Sequence, residues 1–327
     1  MADVARLAGV STSTVSRALR QPAIVSAELR ARIEDAIGQL GYVPNLMAGG
    51  LATARSRSVG VVVPSIINNF FASTIQEMST LLGAHGYQLM LGISDYHEAT
   101  EEALIASFLA WSPAAIVLTG CRHSRQSLRL LLDSDIPIVE MWELNERPLD
   151  CMVGFSLHAV GRAVARHFLE RGARRPAFVG AALDRDYRAA ERGAGFIEAV
   201  EAAGHPSPPR VALAERASVA LGAQGLATVL EQHSETDAVF FSNDALALGG
   251  LFECQRRGLS VPGRLRVCGF GDLDFAAVSV PTLTTVRPPR AEIGRRVAEL
   301  LIDRFKGTGQ GGTAIDLGFE LIARESS

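Results

Sequence analysis

The chain has 327 residues, 48% of them hydrophobic and 20% charged, so it is long enough for two or three domains with a sizeable core. No apolar run reaches membrane-spanning length and no basic segment followed by an apolar one opens the chain, which excludes a membrane protein and places the expected location in the cytoplasm. The net charge of −3 hides an asymmetry: residues 1–58 carry seven arginines against four acids, and the remainder is acidic. A small basic head on a large acidic body suits a polyanion bound through the head.

The first helix opens at Asp3 and sets Val4, Ala5, Leu7 and Ala8 on an apolar side until Gly9 breaks it. Ser11 then caps a second helix. In it Val15 and Leu19, four apart, face inward, while Ser13, Ser16, Arg17 and Arg20 face outward. Two short helices meeting at a glycine turn, the second bearing hydroxyls and arginine on its free face, form a helix-turn-helix suited to a major groove. A third helix follows Ser26, carries Glu28 in its first turn, buries Leu29, Ile33, Ile37 and Leu40, and stops at Gly41. Pro44 can open a further short helix holding Leu46, Met47 and Leu51.

Here the sequence resembles a known family. DVARLAGVSTSTVSRALR, followed by GYVPNLMAGGLA, is similar to the head and hinge of the lactose-repressor (LacI/GalR) family of bacterial regulators. The resemblance implies that Thr12, Ser13 and Arg17 read bases, and that Thr14, Ser16 and Asn45 steady the phosphate backbone. It also implies that Leu51, on a hinge helix paired in a dimer, wedges into the minor groove. Met1 and Ala2 stand where the family has a few more residues, including a capping threonine, which leaves either the start displaced or the first helix open to fraying. Gly49 and Gly50 each cost a helix about 1 kcal/mol relative to alanine. The hinge is therefore expected to fold on operator, with amide exchange at 45–52 slowed by DNA.

Beyond Arg57 the pattern becomes short apolar strands alternating with amphipathic helices. The strands read VGVVV (59–63), QLMLG (88–92), AIVLT (115–119), IPIVE (136–140) and CMVGF (151–155). A second series reads PAFVG (176–180), DAVFF (237–241) and LRVCG (265–269), with a possible strand at 283–287 and a last one over 314–322. This order predicts an α/β core of two doubly wound parallel-sheet subdomains, with a cleft at the carboxyl ends of the strands. The expected division is a head over 1–43, a hinge and linker over 44–58, and a core over 59–327. Within the core, one subdomain spans 59–157 plus 287–312 and the other 158–286 plus 313–327. The four cysteines lack metal-ligand spacing and read as buried reduced thiols. Neither a nucleotide-binding loop nor a catalytic constellation is present, so no cofactor, no metal and no enzyme activity is expected.

The core resembles the same family's sugar-sensing domain, itself similar to periplasmic sugar-binding proteins. By that resemblance Phe70, Phe71, Arg192 and Asn243 line the effector cleft. Arg188 lies one turn before Arg192 on the same helix face. Two aspartates usual in the family are absent: Gly271 holds one place, with Asp272 next, and Trp142 holds the other, with Glu143 next. Two arginines with fewer acids favour an anionic ligand, and a sugar acid is expected over a neutral sugar. VGFSLHAVGRAVARHFLERG, SNDALALGGLFECQRRGLSVP and DLGFEL resemble the gluconate-utilisation repressors of this family, which also carry a histidine near the cleft at the place of His123. The resemblance implies a homodimer on a near-palindromic double-stranded operator, controlled by a small sugar or sugar-acid effector. A neutral or phosphorylated sugar is the alternative effector, and a sugar-binding protein without DNA function the rival from another class.

Overall fold

The computed structural model describes residues 1–21, 24–42 and 56–327. The hinge readings at Pro44, Asn45 and Leu51 lie outside the described residues. The chain divides into two compact units, Met1–Arg57 with Trp111–Ala114, and Ser58–Ala110 with Ala115–Ser327.

The first unit carries α1 (Ala2–Leu7), α2 (Thr12–Arg20) and α3 (Ala27–Leu40). Met1 offers α1 no side-chain cap. The Ser11 hydroxyl accepts from Thr14 N at 3.2 Å and the Ser26 hydroxyl from Leu29 N at 3.4 Å, each meeting a helix-start N–H that has no partner within the helix. Gly9 and Gly41 take φ of 66° and 58°, the left-handed geometry that lets the chain turn after α1 and after α3. Val4, Ala5, Val15, Ala18, Ile33 and Ala36 form the core. Leu7 and Leu40, expected inside, are 50% and 46% exposed. The faces of α1 and α3 that meet are filled by Val4, Ala5, Ile33 and Ala36, and both leucines fall off that seam.

The second unit holds two six-stranded sheets. The first contains β1 (Ser58–Val63), β2 (Gln88–Ile93), β3 (Ala115–Thr119), β4 (Ile138–Met141), β5 (Cys151–Gly154) and β11 (Ala314–Asp316), all parallel, in the order β11-β5-β4-β3-β1-β2. The second contains β6 (Pro176–Ala181), β7 (Arg210–Leu213), β8 (Ala238–Phe241), β9 (Arg266–Phe270), β10 (Thr284–Arg287) and β12 (Glu320–Ile322), in the order β12-β10-β9-β8-β6-β7. Its one antiparallel pair is β10 with β12. Helices α4 (Ala72–Ala84), α5 (Glu98–Ala110), α6 (Arg125–Leu132), α7 (Leu157–Glu170), α8 (Tyr187–Ala202), α9 (Val219–Gln232), α10 (Asp244–Arg256) and α11 (Arg290–Lys306) connect the strands.

Covered on both faces, the central strands bury nearly every residue, which is why VGVVV and AIVLT read as unbroken apolar runs. The strand expected over 314–322 is split: β11 completes the first sheet and β12 the second, so the chain crosses between subdomains at 317–319. Correspondingly, β10 belongs to the second sheet. Of the cysteines, Cys151, Cys254 and Cys268 are buried and Cys121 is half-buried.

Candidate functional site

On α2 the side chains of Thr12, Ser13 and Arg17 are exposed, while Thr14 and Ser16 are half-buried. The Thr14 hydroxyl lies 2.8 Å from that of Ser11 and shares its capping network. Burial of Val15 and Ala18 against the head core turns the opposite face, with Ser13 and Arg17, outward. That face can donate to phosphates and base edges.

A second site lies in the core. Loops from the carboxyl ends of strands in both sheets surround a cavity open to solvent. It is lined by Phe70 and Phe71 after β1, Trp142 after β4, Arg188 and Arg192 on α8, Asn243 after β8 and Phe270 at the end of β9. The six lining residues expected from sequence thus share one wall system. Phe70 packs on Phe71, Trp142 and Phe270 with ring centroids 5.1, 4.9 and 5.6 Å away. Gly271 leaves room for this: a β-carbon there would come 3.1 Å from the Phe70 ring.

Helix α8 is pressed onto α7 because Gly161 and Gly195 remove the side chains between them; a methyl at Gly161 would overlap the carbonyl oxygen of Arg192. That contact fixes the height of both arginines at the cavity. Arg188 donates to Thr119 O at 3.1 Å and lies 3.9 Å from Asp186. Burial alone would lower the pKa of Arg188, but Asp186, Tyr187, Tyr96 and Glu143 outweigh it and hold the charge in place. Arg192 donates to Ser242 O at 2.9 Å and stacks 4.0 Å over the Phe270 ring. Desolvation pushes the pKa of Arg192 down to about 10, so it stays cationic at neutral pH. Its buried Nε meets no acceptor, and no carboxylate pairs with it, among the described residues. Asn243 caps α10 through Oδ1, accepting from Leu246 N at 3.0 Å, which leaves its NH₂ group to donate.

Two expected site residues lie elsewhere. The His123 side chain is fully buried between Glu101, at 2.6 Å, and Glu140, at 3.6 Å, and does not line the cavity. Burial would lower its pKa; the Glu101 hydrogen bond and the charges of both glutamates overcome this and raise it to about 9. Asp272 is turned away as well: Arg287 Nε and Arg324 each donate to its carboxylate at 2.6 Å. Glu143 accepts from the Tyr187 hydroxyl at 2.6 Å instead of facing a ligand.

Sequence reasoning missed Asp95, Tyr96, Asp186 and Arg216, all of which line the cavity. Asp186 carries a local signal, as the N-cap of the helix bearing both arginines. The cavity is thus not free of acids. Asp95 is ion-paired to Arg216, and Asp186 faces Arg188, so three arginines stand against two aspartates. The excess cation is Arg192.

Residues 1–45 match the bacterial regulatory proteins of the lacI family, and residues 165–327 match a periplasmic binding protein-like domain. The HTH-type transcriptional regulator GntR of Pseudomonas aeruginosa is 43% identical over 327 residues, covering 99% of this chain and 94% of that protein. The Escherichia coli K12 regulator GntR is 36% identical over 319 residues, covering 98% and 96%. A crystal structure of a LacI family transcriptional regulator from Silicibacter pomeroyi superimposes with a TM-score of 0.94 at 33% identity, covering 99% of this chain and 98% of that one.

Proposed function

Because the chain belongs to the lacI family of bacterial regulatory proteins, and is a DNA-binding transcription regulator and not an enzyme, we propose that it represses genes for the use of a gluconate-type sugar acid. The observation that carries this reading is Arg192: a buried, cationic guanidinium at the cavity wall that, among the described residues, has one donor unmet and makes no ion pair with a carboxylate. A buried cation without a directly paired counter-charge is costly, and a ligand carboxylate relieves that cost as a neutral sugar does not. The two acids next to the places of the missing aspartates, Glu143 and Asp272, are held by other partners.

In this reading Thr12, Ser13 and Arg17 read operator bases, Thr14, Ser16 and Asn45 hold phosphates, and Leu51 wedges the minor groove. The effector contacts are Phe70, Phe71, Trp142, Arg188, Arg192 and Asn243; His123 and Asp272 support the scaffold. The regulator works in the cytoplasm as a homodimer on a near-palindromic operator. Exposed apolar side chains support a partner copy: Leu91 and Ile93 on edge strand β2, and Phe252, Val278 and Val280 in the other subdomain. Ligand closes the cleft and shifts the dimer from its DNA-competent state.

Calorimetry with gluconate, related sugar acids, a phosphorylated sugar acid and glucose tests the effector. Gel shift on DNA upstream of the protein's own gene, with and without the best ligand, tests the output. Tighter binding of glucose than of any sugar acid overturns the anion argument.

A further inference from the structure

Trp142 sits in a conformation that a bulky residue rarely adopts. Its φ is 76°, in the left-handed region, while its backbone N–H is tied to Val153 O at 2.9 Å. Such strain persists only where the surroundings enforce it, and it gathers at ligand sites. Here it delivers a side chain that lines the cavity, is 2% exposed, and has an indole N–H that meets no acceptor among the described residues. Indole nitrogen donates only and cannot accept. The rings packed around it are Phe70, Phe71 and Phe155, none of which offers an oxygen.

Resting on the effector reading above, we infer that Trp142 is the specificity-determining residue of the cleft, selecting a ligand that presents to it an oxygen bearing no hydrogen, as a carboxylate or ketone does. A hydroxyl can accept the indole N–H, but its own hydrogen must then find an acceptor away from the three phenyl rings. An oxidised carbon meets the donor and leaves nothing unmet. Arg192 Nε is a second unmet donor on a residue lining the cavity, so the site rewards oxygens that only accept. Both donor atoms are closed to solvent in this conformation. Phe70 touches Trp142 and also Phe270, over which Arg192 stacks, and is the least buried of these rings. It is the side chain that swings for a ligand to reach them.

The test titrates the full-length protein and Trp142→Phe, which keeps an aromatic ring, with gluconate, a ketogluconate and sorbitol. Loss of one charge-assisted hydrogen bond weakens an acid by about tenfold. Sorbitol binding changes little, so the preference for acid over polyol collapses in the variant. Both gluconate and ketogluconate are expected to weaken; if ketogluconate does not, its accepting oxygen does not meet Trp142, and selection of a ketone there is overturned. An unchanged acid-to-polyol ratio overturns the inference and leaves the effector reading standing; no acid binding to the wild type overturns both. A second measurement does not need the variant to fold. The chain has two tryptophans, so ¹⁵N-labelled protein gives two indole signals, assigned with Trp111→Phe. Saturating gluconate shifts the Trp142 signal downfield; a signal that does not move refutes the contact.

Discussion

His123→Gln isolates a buried charge that sequence reasoning placed at the effector site. In the fold, the imidazole lies between Glu101 on α5 and Glu140 on β4, with its side chain fully buried. Its pKa is raised to about 9, against about 6.5 in an unfolded chain. A raised folded-state pKa contributes stability that is fully present below pH 6.5 and is lost as pH climbs through about 9. The difference is worth on the order of 3 kcal/mol, similar to the cost of leaving a buried charge without its partner. Urea unfolding of wild type and variant across pH 6 to 10 measures it. At pH 6 the variant is expected to be less stable by about 3 kcal/mol, and the gap narrows towards pH 10 as the wild-type imidazole loses its proton. A gap that stays constant with pH refutes the charged-imidazole reasoning. Because His123 does not line the cavity, effector affinity at neutral pH is expected to change less than stability does.

Other perturbations read other links. Gly161→Ala forces α7 and α8 apart and costs about 1–3 kcal/mol by overpacking, and it weakens the effector by displacing Arg192; Gly83→Ala, with open space around its added methyl, is the control, and equal melting temperatures for the two would refute the close-packing argument. Arg17→Ala removes an exposed guanidinium from the free face of α2, so operator affinity falls by about 1–3 kcal/mol in gel shift at fixed salt, with a smaller loss on unrelated DNA. Tyr187→Phe removes the hydroxyl that donates to Glu143 at 2.6 Å and accepts from Cys121 N at 3.0 Å, joining α8 of one subdomain to loops of the other. The cleft then opens more readily, and effector binding weakens by several-fold in calorimetry, as expected for loss of about 1 kcal/mol; unchanged affinity would show that the bond does not bear on closure.

The sequence by itself determined whatever depends on short range. Ser11, Ser26 and Gly41 mark helix ends because a cap acts within three or four residues of itself. The β1 and β3 runs are unbrokenly apolar because parallel strands are covered on both faces. Doubly wound topology brings strand carboxyl ends together at a cleft, but it was the family resemblance that pointed to Phe70, Trp142, Arg192 and Asn243, all of which line it. Only the tertiary structure decided which charges cancel. Asp272 is held by arginines 15 and 52 positions away, Asp95 by Arg216, and His123 by glutamates on two separate elements. Pairings at such separations leave no periodic trace, because a carboxylate looks the same in sequence whether it faces a ligand or a guanidinium. The proposal of an anionic effector therefore rests on Arg192, whose buried Nε meets no acceptor among the described residues.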